Sequence, residues 1–125
     1  MRRITITAGD VTLPAELNES ETAQRIWDIL PVEGRANTWG EEIYFEIPLQ
    51  VGEAPDARAE VAVGELGYWP VGHAFCIFFG PTPVSEGNEP RAYSPVNVVG
   101  QVLGDATVLS SVPDGAPVRV ARAES

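Results

Sequence analysis

Alternation governs the first stretch of the chain. In RRITITA, Ile4 and Ile6 fall on one side and Arg3, Thr5 and Thr7 on the other, and Gly9-Asp10 offers a turn before VTLPAEL. The pattern predicts an opening β-hairpin. Pro14 has no N–H to give to a ladder, so its strand is expected to be short there or to lie at an edge. The period then changes. In NESETAQRIWDILP, Ala23, Ile26, Trp27 and Leu30 recur at helical spacing, Ser20 is placed to cap the helix and Pro31 to stop it. Trp27 is expected in the core, fastening this helix to a sheet.

From Asn37 onward the apolar runs are short and divided by Gly and Pro: EIYFEIPLQV, ARAEVAV, LGYWP, HAFCIFFG and VNVVGQVLG. Asp105 is placed to cap a second helix, ATVLSSV, and Pro113-Asp114-Gly115 turns the chain into a last strand, APVRVARA. Residues 81–95, with their prolines, Gly87 and Asn88, read as an exposed loop. Two helices are too few to cover both faces of a parallel sheet. The expected fold is therefore mainly β, a closed antiparallel barrel of about eight strands with two capping helices, because closure removes vulnerable edges. The 125 residues suit one domain spanning 1–125.

Charge and composition narrow the partners. Eighteen acidic residues face eight basic ones, all arginine, for a formal net charge of −10, so nucleic acid is not an expected partner and solubility is the plainest role of the acidity. No apolar run approaches the ~20 residues of a bilayer span, and no membrane association is expected. MRRITITAGD lacks the continuous apolar stretch of a signal peptide, and the single cysteine, Cys76, cannot form an internal bridge. Both point to a cytoplasmic protein.

The chain carries no glycine-rich phosphate loop, no Ser-x-Gly nucleophile elbow and no His-Glu helix motif. His73 is the sole histidine and reads as an exposed turn residue; Cys76, three residues on, would face the other side of a strand. No metal or cofactor is expected. Cys76 lies among Phe75, Ile77, Phe78 and Phe79 and reads as buried and inert. Glu41 and Glu42 project to opposite faces and cannot form a facing acid/base pair.

The most informative segment is RANTWGEEIYFEIP. Alternation puts Ile43, Phe45 and Ile47 inward and Glu42, Tyr44 and Glu46 outward. Trp39 is near in sequence, and Trp69 can join from GYWP. One reading is an aromatic-walled cleft built from Trp39, Tyr44 and Trp69, with the Glu42 carboxylate and the Asn97 amide supplying direction. The other is structural: Trp39 packs on Trp69 over a barrel end while Glu42 caps backbone amides of the NTWG turn. Trp69-Pro70 is a candidate cis bond, since an aromatic residue precedes proline.

The order of elements resembles the cyclophilin fold, and VNVVGQVLGDATVLSSV and AFCIFFG are similar in outline to segments of it. A closer resemblance is to the small prokaryotic cyclophilin-like domains, carried by NTWGEEIYF, GYWP, FCIFFGPTP and VNVVG in one order from Asn37 to Gly100. The resemblance implies a cyclophilin-like barrel with a ligand groove on its outer surface and no transferable activity. Cyclophilins rotate an X-Pro bond with an arginine aimed at the proline nitrogen. The matching position here falls at Tyr44 or Phe45, the family's glutamine-bearing stretch is missing, and its histidine corresponds to Val96 or Asn97; Arg35, Arg58 and Arg91 would have to reach in from loops. Efficient prolyl isomerisation is not expected. The expected function is binding of a small molecule or short peptide in an outer aromatic cleft. The alternatives are a weak prolyl isomerase or another enzyme using Glu42, and an accessory or homo-oligomeric interaction protein whose exposed aromatics form an interface.

Overall fold

The computed structural model describes residues 2–123. Among them ten strands, one α-helix and one 3₁₀ helix follow in the order β1 (Arg2–Ala8), β2 (Val11–Leu17), α1 (Glu21–Ile29), β3 (Val32–Arg35), β4 (Asn37–Thr38), β5 (Glu42–Glu46), β6 (Arg58–Glu60), β7 (Glu65–Trp69), β8 (Ala74–Phe78), β9 (Arg91–Val102), the 3₁₀ helix (Ala106–Ser111) and β10 (Pro117–Arg122). Every strand pairing is antiparallel. The predicted opening hairpin is β1–β2, with Ile6 opposite Leu13 and Gly9 in a left-handed turn conformation. Pro14 pairs with Thr5 but lies just before the β2–β9 ladder, which begins at Ala15, so its missing N–H falls outside that ladder.

The expected closed barrel is not present as a continuous hydrogen-bonded cylinder. The strands run β3-β10-β1-β2-β9-β7-β8-β5-β4, with β6 attached only to β9, and no ladder joins β3 to β4. The two ends of the order are instead consecutive pieces of chain, separated only by Ala36. Val32–Arg35 pair with β10, while Asn37 and Thr38 pair with β5. Ala36 stays bonded to the β10 side, donating to the Ala116 carbonyl (2.8 Å) and accepting from the Gly115 amide (2.8 Å). One strand direction thus changes partner at a single residue, which curls the sheet around the main core. The count of ten strands rather than about eight comes largely from this split strand and from β6.

The main core lies inside that curl and is built from alternate residues, among them Ile4, Ile6, Leu17, Phe45, Phe75 and Leu66, all nearly inaccessible. Tyr68 is buried there too; its hydroxyl donates to the Leu49 carbonyl and accepts from the Val51 amide (3.3 Å), which pins the segment after β5. The first helix matches its prediction, with the Ser20 hydroxyl accepting from the Ala23 amide (3.2 Å). Thr22, Ala23 and Ile26 are its buried residues. Trp27 packs against the main core as expected but is not enclosed by it. It is half-buried, its ring flanked by the guanidinium groups of Arg122 (4.5 Å) and Arg2 (5.8 Å). The second helix forms at the predicted cap, with the Asp105 carboxylate accepting from the Thr107 amide, but as a six-residue 3₁₀ helix. ATVLSS is short, is rich in β-branched and hydroxyl residues, and meets Pro113. The cis proline bond is Leu30–Pro31, not Trp69–Pro70.

A second, smaller core covers the outer face of β5, β7 and β8. Val61, Ala74, Cys76, Phe78, Ala92 and Val96 form it, with Tyr44, Trp69 and Val98 against its edge. It exists because β9 changes partners along its length: its C-terminal half pairs with β2 and β7, and its N-terminal half pairs with β6. The loop expected over 81–95 is therefore wrong at its end, since Arg91–Pro95 are strand. Residues before Arg91 are held rather than loose: the Thr82 hydroxyl donates to the Arg91 carbonyl, the Ser85 hydroxyl to the Glu89 carbonyl, and Arg91 pairs with Glu60 (3.0 Å) and Glu89 (3.3 Å).

The curl brings β3 against β5 so closely that a Cβ at Gly34 would sit 2.9 Å from the Phe45 ring. Gly34→Val is expected to overpack this contact and destabilise the protein by about 1–3 kcal/mol, read as a lower urea midpoint with an unchanged m-value.

Candidate functional site

The outer face of β5 carries the site because its register sets Glu42 opposite Phe78 and Tyr44 opposite Cys76, while β7 sets Trp69 opposite Ala74. The alternation predicted for this strand holds: Ile43, Phe45 and Ile47 enter the main core, and Tyr44 and the exposed Glu46 lie on the other face. Glu42 shares that outer face yet is only 5% exposed, because the second core covers it.

A cavity of about 180 Å³ opens here, lined by Trp39, Glu42, Tyr44, Trp69, Ala92, Tyr93 and Val96. Four aromatic rings meet in series around it. Tyr44 and Trp69 have centroids 6.2 Å apart with planes at 77°, Trp69 and Tyr93 are 6.2 Å apart at 80°, and Tyr93 and Trp39 are 6.1 Å apart at 73°. Edge-to-face contacts of this kind are each worth about 0.5–1.5 kcal/mol beyond burial, so the rings brace one another. Trp69 is fixed further. Its indole N–H donates to the Ser94 hydroxyl (2.6 Å), and its ring lies over Gly72, where a Cβ would come within 2.5 Å.

Trp39 is placed by the β4–β5 turn. Its amide donates to the Glu42 carbonyl (3.0 Å), the Asn37 side chain donates to the Tyr44 carbonyl (3.1 Å), and Asp114 accepts from the Thr38 amide (2.9 Å). The structural alternative for this region does not describe it: Tyr93 stands between Trp39 and Trp69, and the Glu42 side chain meets the Cys76 thiol.

Glu42 is the one ionisable carboxyl in the lining. Removal from water raises its pKa from 4.5 to about 7, and the hydrogen bond with Cys76 only partly offsets this. Burial, with the Glu42 charge beside it, pushes the Cys76 thiol well above its usual value, so the thiol is inert as a nucleophile, as its neighbours in sequence implied. No arginine lines the cavity. Arg91 is engaged with Glu60, Glu86 and Glu89, Arg58 with Glu65, and Arg35 with the Gly115 carbonyl.

Four of the five expected site residues, Trp39, Glu42, Tyr44 and Trp69, come together. Asn97 does not line the cavity. It is 2% exposed, and its amide accepts from Ala54 N–H (2.8 Å) and donates to the Gly52 carbonyl (3.0 Å) and Thr22 hydroxyl (3.1 Å), tying the segment after β5 to α1. Tyr93, Ala92 and Val96 were missed. Their signal was the alternation of RAYSPVNVV, interrupted by Pro95 and masked by the loop-like composition before it. His73 is a half-buried turn residue in the left-handed conformation (φ 51°). Among the described residues no group of three or more His, Cys, Asp and Glu side chains could hold a metal ion, and no helix is long and apolar enough to cross a membrane.

A raised carboxyl pKa is a stability statement. Glu42 is protonated in both folded and unfolded chains below pH 4.5; between 4.5 and about 7 the unfolded chain ionises first, so stability falls as pH rises through that window. Glu42→Gln is expected to remove this fall and to be the more stable protein at pH 8, by roughly 2–3 kcal/mol, in urea unfolding compared at pH 4.5 and 8.

Comparison with known proteins follows the same lines. The family model described as Cyclophilin-like matches residues 2–121. The solution structure of a hypothetical protein from Archaeoglobus fulgidus is similar with a TM-score of 0.81 and 36% identity, covering 98% of this chain and 95% of that one. No curated protein matches the chain.

Proposed function

The chain belongs to the cyclophilin-like family, and from that premise we propose that it is a binding protein whose ligand, a small molecule or one side group of a short peptide, enters the aromatic cavity on the outer face of β5 and β7. The single observation that carries this reading is the cavity itself: four mutually braced rings around about 180 Å³, with one buried carboxyl in the lining. Few convergent polar groups among apolar walls is the usual composition of a ligand site. Its size suits one ring or one branched alkyl group, since an apolar cavity of about 150 Å³ holds a benzene. We read the curled sheet as a barrel with Ala36 at its seam, a rigid support for those walls.

The catalytic chemistry of proline-twisting relatives is not part of the proposal, because the lining lacks a guanidinium. A second reading has one observation in its favour. A carboxyl with a pKa of about 7 is suited to general acid–base work at neutral pH, on a ligand held in the same cavity.

Fragments bearing a single ring or branched alkyl head, titrated into ¹⁵N-labelled protein, are expected to shift the indole N–H signals of Trp39 and Trp69 and to leave that of Trp27 in place. Tyr93→Ala is expected to weaken binding several-fold while costing no more than about 1–3 kcal/mol of stability, the worth of its two edge-to-face contacts, because that side chain is otherwise largely exposed. A library that moves none of the cavity indoles preferentially would overturn the reading. In exchange spectroscopy of a proline peptide, stoichiometric protein is expected to leave the cis–trans rate unchanged, and clear acceleration would show catalysis at this cavity.

A further inference from the structure

Resting on the binding reading above, we propose that the ligand's recognised group is a quaternary ammonium, held within the four aromatic rings and paired with the Glu42 carboxylate. The rings supply the first half of the argument. Tyr44, Trp69, Tyr93 and Trp39 follow one another with interplanar angles of 77°, 80° and 73°, so each ring stands nearly square to the next and the four line one open cavity rather than forming a stack. The π-faces of such rings carry negative potential and attract a cation within about 6 Å of their centroids.

Glu42 supplies the second half. It is 5% exposed and lines the cavity, and among the described residues no arginine pairs with it. The arginine of the covering strand β9, Arg91, is bound to Glu60, Glu86 and Glu89. A buried carboxylate without a counter-ion is costly, and an organic cation in the cavity is the counter-ion that the chain itself withholds.

The chemistry of the walls selects among cations. A primary ammonium brings three N–H donors that need acceptors, and beyond the Glu42 carboxyl the side chains of this lining offer only the Tyr44 and Tyr93 hydroxyls; the Trp69 N–H is a donor already given to Ser94. A quaternary ammonium has no N–H to satisfy and presents methyl groups to apolar walls. Its head has the bulk of a tert-butyl group, within reach of the volume available. An anionic group would meet Glu42 as a like charge, and the net charge of −10 favours approach of cations.

The titratable groups around Glu42 are Cys76 from β8, Tyr44 on its own strand and Tyr93 from β9, with the exposed Glu41 preceding it in the turn. Because the empty site holds a proton on Glu42 up to pH about 7, a cation that prefers the ionised form binds most tightly above that pH and releases a proton on binding below it.

The test is calorimetry and indole-detected NMR on the intact protein with choline, with the amide of trimethyllysine, and with 3,3-dimethylbutan-1-ol, the neutral isostere of choline. Either cation is expected to bind at least tenfold more tightly than the isostere at pH 8, and to weaken several-fold by pH 6. The tighter of the two identifies a free small molecule or a modified lysine as the source of the group. Glu42→Gln, which keeps the shape of the site, is expected to bring choline down to the level that the isostere reaches on the same variant. Equal binding of cation and isostere at the Trp39 and Trp69 indoles would overturn the ammonium assignment and leave the cavity a binding site. If neither cation moves those indoles, the assignment fails; if ring and alkyl fragments also leave them in place, the binding reading fails with it.

Discussion

Ala36 is the residue on which the rest of the structure depends. Before it the chain is hydrogen-bonded to β10, after it to β5, and its own N–H and C=O remain tied to Ala116 and Gly115. A sheet whose ladder order has two ends would ordinarily expose two edges, with the risk of pairing with other chains. Here the two edges belong to one short run of backbone, and neither can drift from the other without breaking bonds on both sides. The side chain must be small where strands β3 and β5 approach, and Gly34 meets the Phe45 ring there. The interior then fills with alternate residues from nearly every strand.

The candidate site is a by-product of the same economy used twice. A long strand, β9, changes partner along its length as the β3–β4 run does, and its first half folds with β6 over the outer face of β5, β7 and β8. That move desolvates Glu42, sets Tyr93 between two tryptophans and converts an outward-facing strand surface into a walled hollow. The cost falls on one carboxyl, whose proton is retained to about pH 7. Strongly perturbed carboxyls concentrate where a chain binds or does chemistry.

What could be read from the residues was what depends on near neighbours. Ile4 and Ile6 announced a strand, Ser20 and Asp105 announced helix starts, and the alternation of Ile43, Phe45 and Ile47 placed Tyr44 and Glu42 together on the correct face. Each of these follows from periodicity or from one side chain reaching an amide two or three residues away. The features that were not legible depend on distant chain. Val32–Thr38 contains Glu33, Gly34, Arg35 and Asn37, with little β-branched or aromatic character, and is extended only because β10 and β5 bracket it. Glu42 gives no sign in sequence that strand β9 will cover it. Asn97 was assigned to the cleft from its place beside the V-V-G run, but its amide is consumed by Thr22, Gly52 and Ala54, a fate set by a loop more than forty residues away.

The three tryptophans have been partitioned by the fold into different surroundings. Trp39 and Trp69 wall the hollow, whereas Trp27 sits on the helix between two guanidinium groups. Their ultraviolet emission is therefore not one signal but a sum from two unlike places. Replacing Trp27 with phenylalanine would leave a chromophore pair that reports only on the hollow, giving the molecule a built-in optical gauge that needs no attached dye.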